Sequence, residues 1–225
     1  MWILLVAAQS FTINARRLSL HRTVGRSVFV LAPVMIGAFA LVTWAGALKS
    51  VSNHPFYEAF GRALLVGDAT LVFGTALLVY LALRHRRNVH LHGALMLATV
   101  FGLLPPIVVR VLNGYVPGLT IQGPDTLHRF GPALLLSVAL TVGVAVVLAV
   151  CYRPRGWPWW LAAGITTLVY VLYASLGQTE LWTEIVVVMA RSSPLAVFSA
   201  GTALGALACA LGWRHGRGRS VSSLQ

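Results

Sequence analysis

The sequence predicts an all-α polytopic membrane protein, a bundle of seven transmembrane helices with its N-terminus outside and its C-terminus in the cytoplasm. Hydrophobic residues make up 58% of the 225 residues and charged residues only 10%, whereas soluble domains carry about 25% charged residues. Six apolar runs reach the roughly 20 residues that cross a bilayer, and basic residues cluster in alternate loops. This composition excludes a secreted disulfide scaffold, a disordered chain and a cytosolic enzyme.

The predicted helices cover residues 1–13, 27–48, 63–83, 93–112, 130–152, 157–176 and 195–213. Near-continuous apolar runs of this length favour helices over the short alternating strands of a membrane barrel. The loops leave too little chain for a soluble domain, so residues 1–213 are predicted to form one bundle. Residues 214–225 are predicted to be a basic, disordered cytoplasmic tail.

The first segment is the exception, because it has only 13 residues and no polar flank. It lacks the basic start and small-residue cleavage site of a signal peptide. We interpret it as a spanning helix whose beginning is missing. Three explanations stay open: the start of the sequence is misassigned, the helix is short and tilts little, or the helix stops within the outer leaflet.

Loop charge predicts the orientation, because Lys and Arg stay on the cytoplasmic side. Twelve arginines fall in one set of loops and the tail: 16, 17, 22, 26, 84, 86, 87, 153, 155, 214, 217 and 219. The opposite loops hold four of the five acids. Six crossings without the first segment fit the charges equally well.

The net charge of +12 is interpreted as a topology signal. It predicts contact with anionic lipid head groups and no nucleic-acid partner. Sixteen arginines against one lysine, with abundant Ala, Gly, Val and Leu, are typical of a GC-rich bacterial genome. The predicted location is therefore the bacterial inner membrane.

Small residues and prolines mark packing features. Gly201, Gly205 and Cys209 form a small-xxx-small stripe on the last segment, which favours close helix contact inside the chain over a homo- or hetero-oligomer face. Pro105 and Pro106 lie in the fourth segment and are predicted to bend or open it. A kink that only shapes packing and a hinge or polar pocket are both retained.

Asp68 is the only acid within an apolar run, and such residues usually face the bundle interior and find a partner. It lies about 9 Å below the outer boundary, and Arg110 lies near the outer end of the next segment. We predict an Asp68–Arg110 ion pair, either a structural lock or a proton or ion relay. Asp68→Asn and Arg110→Gln should then lower the melting temperature equally, without additivity.

The chain has seven histidines, which is a large number for a sequence with so few polar residues. His21, His90 and His92 lie toward the predicted cytoplasmic face, and imidazole ligates haem iron, zinc and copper. A haem b or metal site would use His21 with His90 or His92, since residues two apart lie about 200° apart around a helix. Interfacial histidines that bond to phosphates, helix ends and water are the favoured alternative.

Two stretches carry a resemblance to a group of uncharacterised bacterial integral membrane proteins. The first is Leu20-His21-Arg22 with Gly25, an L-H-R-x-x-G segment. The second stretch is similar to that group's run of a G-D pair, a basic loop, an H-x-x-x-M-L segment and a distal arginine. In this sequence the matching residues are Gly67 and Asp68, the loop Arg84 to Arg87, His92 with Met96 and Leu97, and Arg110. The resemblance spans roughly residues 1 to 112. It implies no activity, and adds Asp68, His21, His92 and Arg110 as positions to test.

Three functions remain open, and an enzyme is disfavoured because Walker, Rossmann and G-x-S-x-G motifs do not occur. A redox or haem-binding membrane protein would depend on the histidines. A carrier for a proton, ion or small hydrophobic solute would depend on Asp68, Arg110 and the double proline. A non-catalytic assembly partner in a membrane complex would depend on the Gly201 stripe.

Overall fold

A computed structural model describes residues 1–52 and 54–216, and within them every regular element is helical. Its α-helices are α1 Trp2–Asn14, α2 Leu18–Gly25, α3 Val28–Ser50, α4 Arg62–Arg84, α5 Val89–Phe101, α6 Leu104–Tyr115, α7 Phe130–Cys151, α8 Trp157–Ala174, α9 Glu180–Arg191 and α10 Pro194–His215. A π-helical turn, Tyr57–Gly61, leads into α4. Short 3-10 segments, Pro124–Arg129 and Leu176–Gln178, precede α7 and follow α8.

Six helical spans of the described chain are long and apolar enough to cross a membrane: Val28–Ser50, Tyr57–Arg84, Val89–Tyr115, Pro124–Cys151, Trp157–Gln178 and Pro194–His215. Together with the short α1 they form a helical bundle of about seven helices, which confirms the predicted fold class. The protein is a multi-pass membrane protein. Each long span contains its predicted segment to within about two residues, and several extend beyond it.

Sequence analysis missed two helices and misplaced one boundary. α2 and α9 are short helices with a polar side, so a search for apolar runs of 20 residues does not find them. The tail was predicted to begin at residue 214, but α10 continues through Arg214 to His215. The rest of the predicted disordered tail, residues 217–225, lies outside the described residues.

The helix that carries Asp68, α4, lies at the centre of the bundle. It packs against α3, α5, α8 and α10, and it is the most buried of the six long spans. Small residues permit this packing. A methyl group on Gly74 would meet the Ile165 side chain of α8 at 2.9 Å, and one on Gly212 would meet the Tyr80 carbonyl at 2.6 Å.

The predicted small-residue stripe packs inside the chain, along α3. A Cβ on Gly201 would lie 2.9 Å from the Gly37 Cα, and one on Gly205 would lie 2.6 Å from the Pro33 Cα. Cys209 Sγ lies 3.9 Å from the Val28 carbonyl oxygen. The two backbones therefore approach closely over two turns of α10, as small residues allow.

α1 is an integral part of the bundle despite its length. Trp2 and Val6 are buried in a cluster with residues of α3, α4 and α10. The Trp2 indole Nε1 donates a hydrogen bond of 2.8 Å to the Thr99 hydroxyl of α5. An amphipathic indole thus anchors the start of the chain to the bundle interior.

We expect Trp2→Phe and Thr99→Val each to lower the free energy of unfolding in detergent by about 1 kcal/mol, because each removes one partner of a buried hydrogen bond. The double variant should lose less than the sum of the two. Trp160→Phe, at an exposed position of α8, is the control and should change little. Fully additive losses would show that α1 does not dock through this bond.

Candidate functional site

The fourth predicted segment is broken into two helices. α5 ends at Phe101, Gly102 and Leu103 form a turn, and α6 begins at Leu104 with Pro105 and Pro106 in its first turn. Proline is favoured in a first helical turn because its missing N–H has no intrahelical acceptor there. The double proline therefore starts a new helix within the membrane span, which agrees with the predicted opening of the backbone.

A cavity of about 690 Å³ lies beside this break. Its walls come from α3, the π-helical turn, α4, α5, the α5–α6 turn, α6, α7 and α8. Asp68, Arg110, Pro105 and Pro106 all line it. The structure thus brings together the predicted acid, the predicted arginine and the predicted helix break, from segments that sequence analysis could only place at similar depths.

Asp68 and Arg110 both line the cavity and carry opposite charges. The Arg110 guanidinium donates its hydrogen bond to the Pro106 carbonyl of its own helix, and among the residues that the structure describes no direct ion pair joins it to Asp68. Two opposite charges therefore line one cavity without a direct ion pair.

The remaining wall is mostly apolar and aromatic. Four aromatic residues line the cavity: Phe56, Phe130, Tyr170 and Tyr173. The Phe56 and Phe130 rings pack edge to face with their centroids 5.0 Å apart, and the two tyrosine rings stack with their centroids 6.0 Å apart. Apolar walls with a few polar groups at fixed places are typical of small-molecule sites, whose volumes run from about 300 to 1,000 Å³. The cavity has both the mostly apolar wall and the volume of such a site.

The cavity reaches the protein surface at the end of α6. Arg110 and Gly114 both line it and both are exposed. A Cβ on Gly114 would have no atom within 4 Å, so there is open space at this point. By the predicted topology this opening lies toward the outer face of the membrane.

Sequence analysis missed part of the cavity wall. Thr75 lies seven residues after Asp68, on the same face of α4, and Asn113 lies one turn after Val109 on α6; both line the cavity. The helical spacing from Asp68 was a usable signal for Thr75. The aromatic residues gave no such signal, because Phe and Tyr are common in apolar helices.

The structure brings two of the three candidate histidines together, away from this cavity. His92 Nδ1 donates to the Ala82 carbonyl at 2.8 Å, and His21 lies close enough to affect His92 electrostatically. His90 is exposed. In the described part of the chain no cluster of three or more His, Cys, Asp or Glu side chains is arranged to hold a metal ion.

The fold and the site together define a multi-pass helical membrane protein with an internal cavity that holds one acid and one arginine. Comparison with known proteins gives no matching family model, no matching curated protein and no matching solved structure.

Proposed function

We propose that this protein is a carrier in the bacterial inner membrane for a small solute with an apolar body and a charged end, bound in the cavity between Asp68 and Arg110. The observation that carries the proposal is the position of the only acid within the apolar runs. Asp68 lines a cavity of ligand size, whereas a purely structural acid would be expected to be packed against its partner. The broken helix beside it is typical of transporter binding sites.

The separation of the two charges supports binding rather than a structural lock. Carboxylate and guanidinium groups that line one cavity can each bind an opposite charge, and the aromatic wall can cover the apolar body. Desolvated charge-assisted hydrogen bonds contribute about 1.5–3 kcal/mol each, enough to select a solute by the sign of its charged end.

A thermal-shift experiment with three phenyl probes tests this proposal. Benzylamine, phenylacetate and phenylalanine present a cation, an anion and a zwitterion on the same apolar body. We expect at least one to stabilise the wild-type protein, because a ligand that binds only the folded state stabilises it by about 2.7 kcal/mol at 100 times its Kd. Asp68→Asn should weaken binding of the amine, and Arg110→Gln that of the acid, by about tenfold or more.

Glu58→Gln is the matched control, since Glu58 is an exposed acid on the π-helical turn outside the cavity wall. It should respond to the probes as the wild type does. The proposal fails if none of the three probes stabilises the wild type, or if the Asp68 and Arg110 variants respond unchanged.

A second candidate function, haem or metal binding, is favoured by one observation. The Nδ1–H bond from His92 to Ala82 leaves Nε2 as the ligating nitrogen, which is how metal-ligating histidines are usually oriented. His21 would be its partner; neither residue lines the large cavity. Protein purified from haem-supplied cells should show a Soret band that His92→Ala removes, and a spectrum without that band would exclude haem b.

A further inference from the structure

We infer that the cavity holds an alkali cation, Na⁺, between Asp68 and the backbone carbonyls freed at the helix break, and that the solute is therefore an organic anion bound at Arg110. This inference builds on the proposed carrier function and names its substrate class. It starts from the hydrogen bonds that the double proline removes.

Pro105 and Pro106 cannot donate the backbone hydrogen bonds that would continue α5 into α6. The carbonyls four residues earlier, on Phe101 and Gly102, therefore receive no helical N–H. Unsatisfied carbonyls within a membrane span are costly unless they face protein partners, water or a ligand. Gly102 lines the cavity and Phe101 does not, so the Gly102 carbonyl belongs to a residue of the cavity wall.

The same turn packs against α4 at the residue one helical turn from Asp68. A methyl group on Gly102 would meet the Leu71 side chain at 2.5 Å, and Leu71 is one helical turn from Asp68 on the same face of α4. The predicted depths are consistent with this contact. From the predicted cytoplasmic boundary at residue 93 the chain rises about 14 Å to Gly102, which is about 16 Å below the opposite boundary of a layer roughly 30 Å thick. Asp68 lies about 9 Å below that boundary, and Leu71 lies about one turn deeper.

A carboxylate with unwound-helix carbonyls is an oxygen ligand set, which transporters use to coordinate Na⁺ at discontinuous helices. Histidine and cysteine are not among the residues that line the cavity, so the site suits a hard cation rather than a soft metal. A bound Na⁺ would neutralise Asp68 and leave Arg110 as the charge that a solute must satisfy. An amphipathic carboxylate would meet both that arginine and the aromatic wall.

The two sites should also be coupled. Na⁺ and the Arg110 guanidinium repel each other across the cavity, and an anion placed between them relieves that repulsion. Each ligand should therefore raise the affinity for the other by the same factor, as linkage requires. We expect that factor to be about fivefold or more.

The test is thermal stability of the full-length protein in detergent, with NaCl titrated against N-methyl-D-glucamine chloride, a bulky polyol cation, at constant ionic strength and pH. Na⁺ should stabilise the wild type without any organic probe, and should improve the apparent affinity for phenylacetate by about fivefold. Benzylamine, whose ammonium group would occupy the same carboxylate, should compete with Na⁺.

Asp68→Asn should abolish the Na⁺ response. Pro106→Ala restores an N–H that can donate to the Gly102 carbonyl, and should weaken the apparent Na⁺ affinity about fivefold or more. Pro33→Ala, in α3 and outside the cavity wall, is the matched proline control, and Glu58→Gln is the acid control; both should respond as the wild type does. If Asp68→Asn does not fold, the Na⁺ responses of Pro106→Ala and Pro33→Ala are compared instead.

Equal stability in Na⁺ and N-methyl-D-glucamine, or an unchanged Na⁺ response in Asp68→Asn or Pro106→Ala, would overturn the inference. A response to pH alone would assign Asp68 to proton binding and would also overturn it. The two proposals fail separately. Probe binding without a Na⁺ effect removes only the cation site, and a Na⁺ effect without probe binding removes the carrier function while the cation site stands.

Discussion

Gly205→Val is expected to lower the midpoint of thermal unfolding in detergent by about 2–12 °C. A Cβ at this position would lie 2.6 Å from the Pro33 Cα, and backbone, unlike the end of a flexible side chain, cannot move aside locally. The two helices must separate, and overpacking of this kind costs typically about 1–3 kcal/mol. For a chain of this size each kcal/mol corresponds to roughly 2–4 °C.

Gly164→Val is the matched control. A Cβ at Gly164 on α8 meets no atom within 4 Å, and valine is slightly better than glycine within a helix, so its midpoint should stay the same or rise. The oligomeric state of both variants should be measured in the same samples. If Gly205→Val keeps the wild-type midpoint but loses a dimer, the stripe is an oligomer face and the internal α3–α10 packing is wrong.

Gly114→Trp is expected to abolish the response to the organic probes while leaving stability near that of the wild type. Gly114 lines the cavity where it reaches the surface, and a Cβ there meets no atom within 4 Å. An indole at this point would occupy the entrance without a clash in the bundle. We expect the apparent affinity for any probe that binds the wild type to fall by about tenfold or more, because about 1.4 kcal/mol of lost binding free energy is sufficient.

Gly143→Trp adds the same indole at a position of α7 that is equally open but lies outside the cavity wall. It should bind the probes as the wild type does. Probe binding that survives in Gly114→Trp would place the binding site elsewhere. Probe binding lost equally in both variants would indicate a general effect of an added indole on the bundle.

Much of the fold could be predicted because the bilayer sets a length that the sequence displays. Long apolar runs and alternating arginine-rich loops predicted every long helix, and the small-residue stripe from Gly201 to Cys209 predicted a close helix contact, which the structure places on α3. α2 and α9 could not be found in this way, since short helices with a polar side can lie at an interface without a 20-residue apolar run.

The site was predictable only in its two charged residues and its double proline. Asp68 and Arg110 are conspicuous because a charge in a lipid-facing sequence is costly, and Pro105 and Pro106 because proline interrupts helical hydrogen bonding. Their convergence on one cavity depends on how α4, α6, α7 and α8 pack, and apolar helices in lipid carry little pattern that specifies neighbours. The predicted direct ion pair shows the difference: the sequence places both charges near the outer half of the span, and in the structure both line one cavity without a direct contact.

An experimental structure of the protein soaked with 4-bromophenylacetate in Na⁺ would test the central claim most directly. The anomalous signal of bromine marks the position of the probe independently of the surrounding density. The account predicts a bromine peak inside the cavity between α4 and α6, with the carboxylate at Arg110. A cavity closed by its own side chains, or bromine peaks only on the lipid-facing surface, would contradict it.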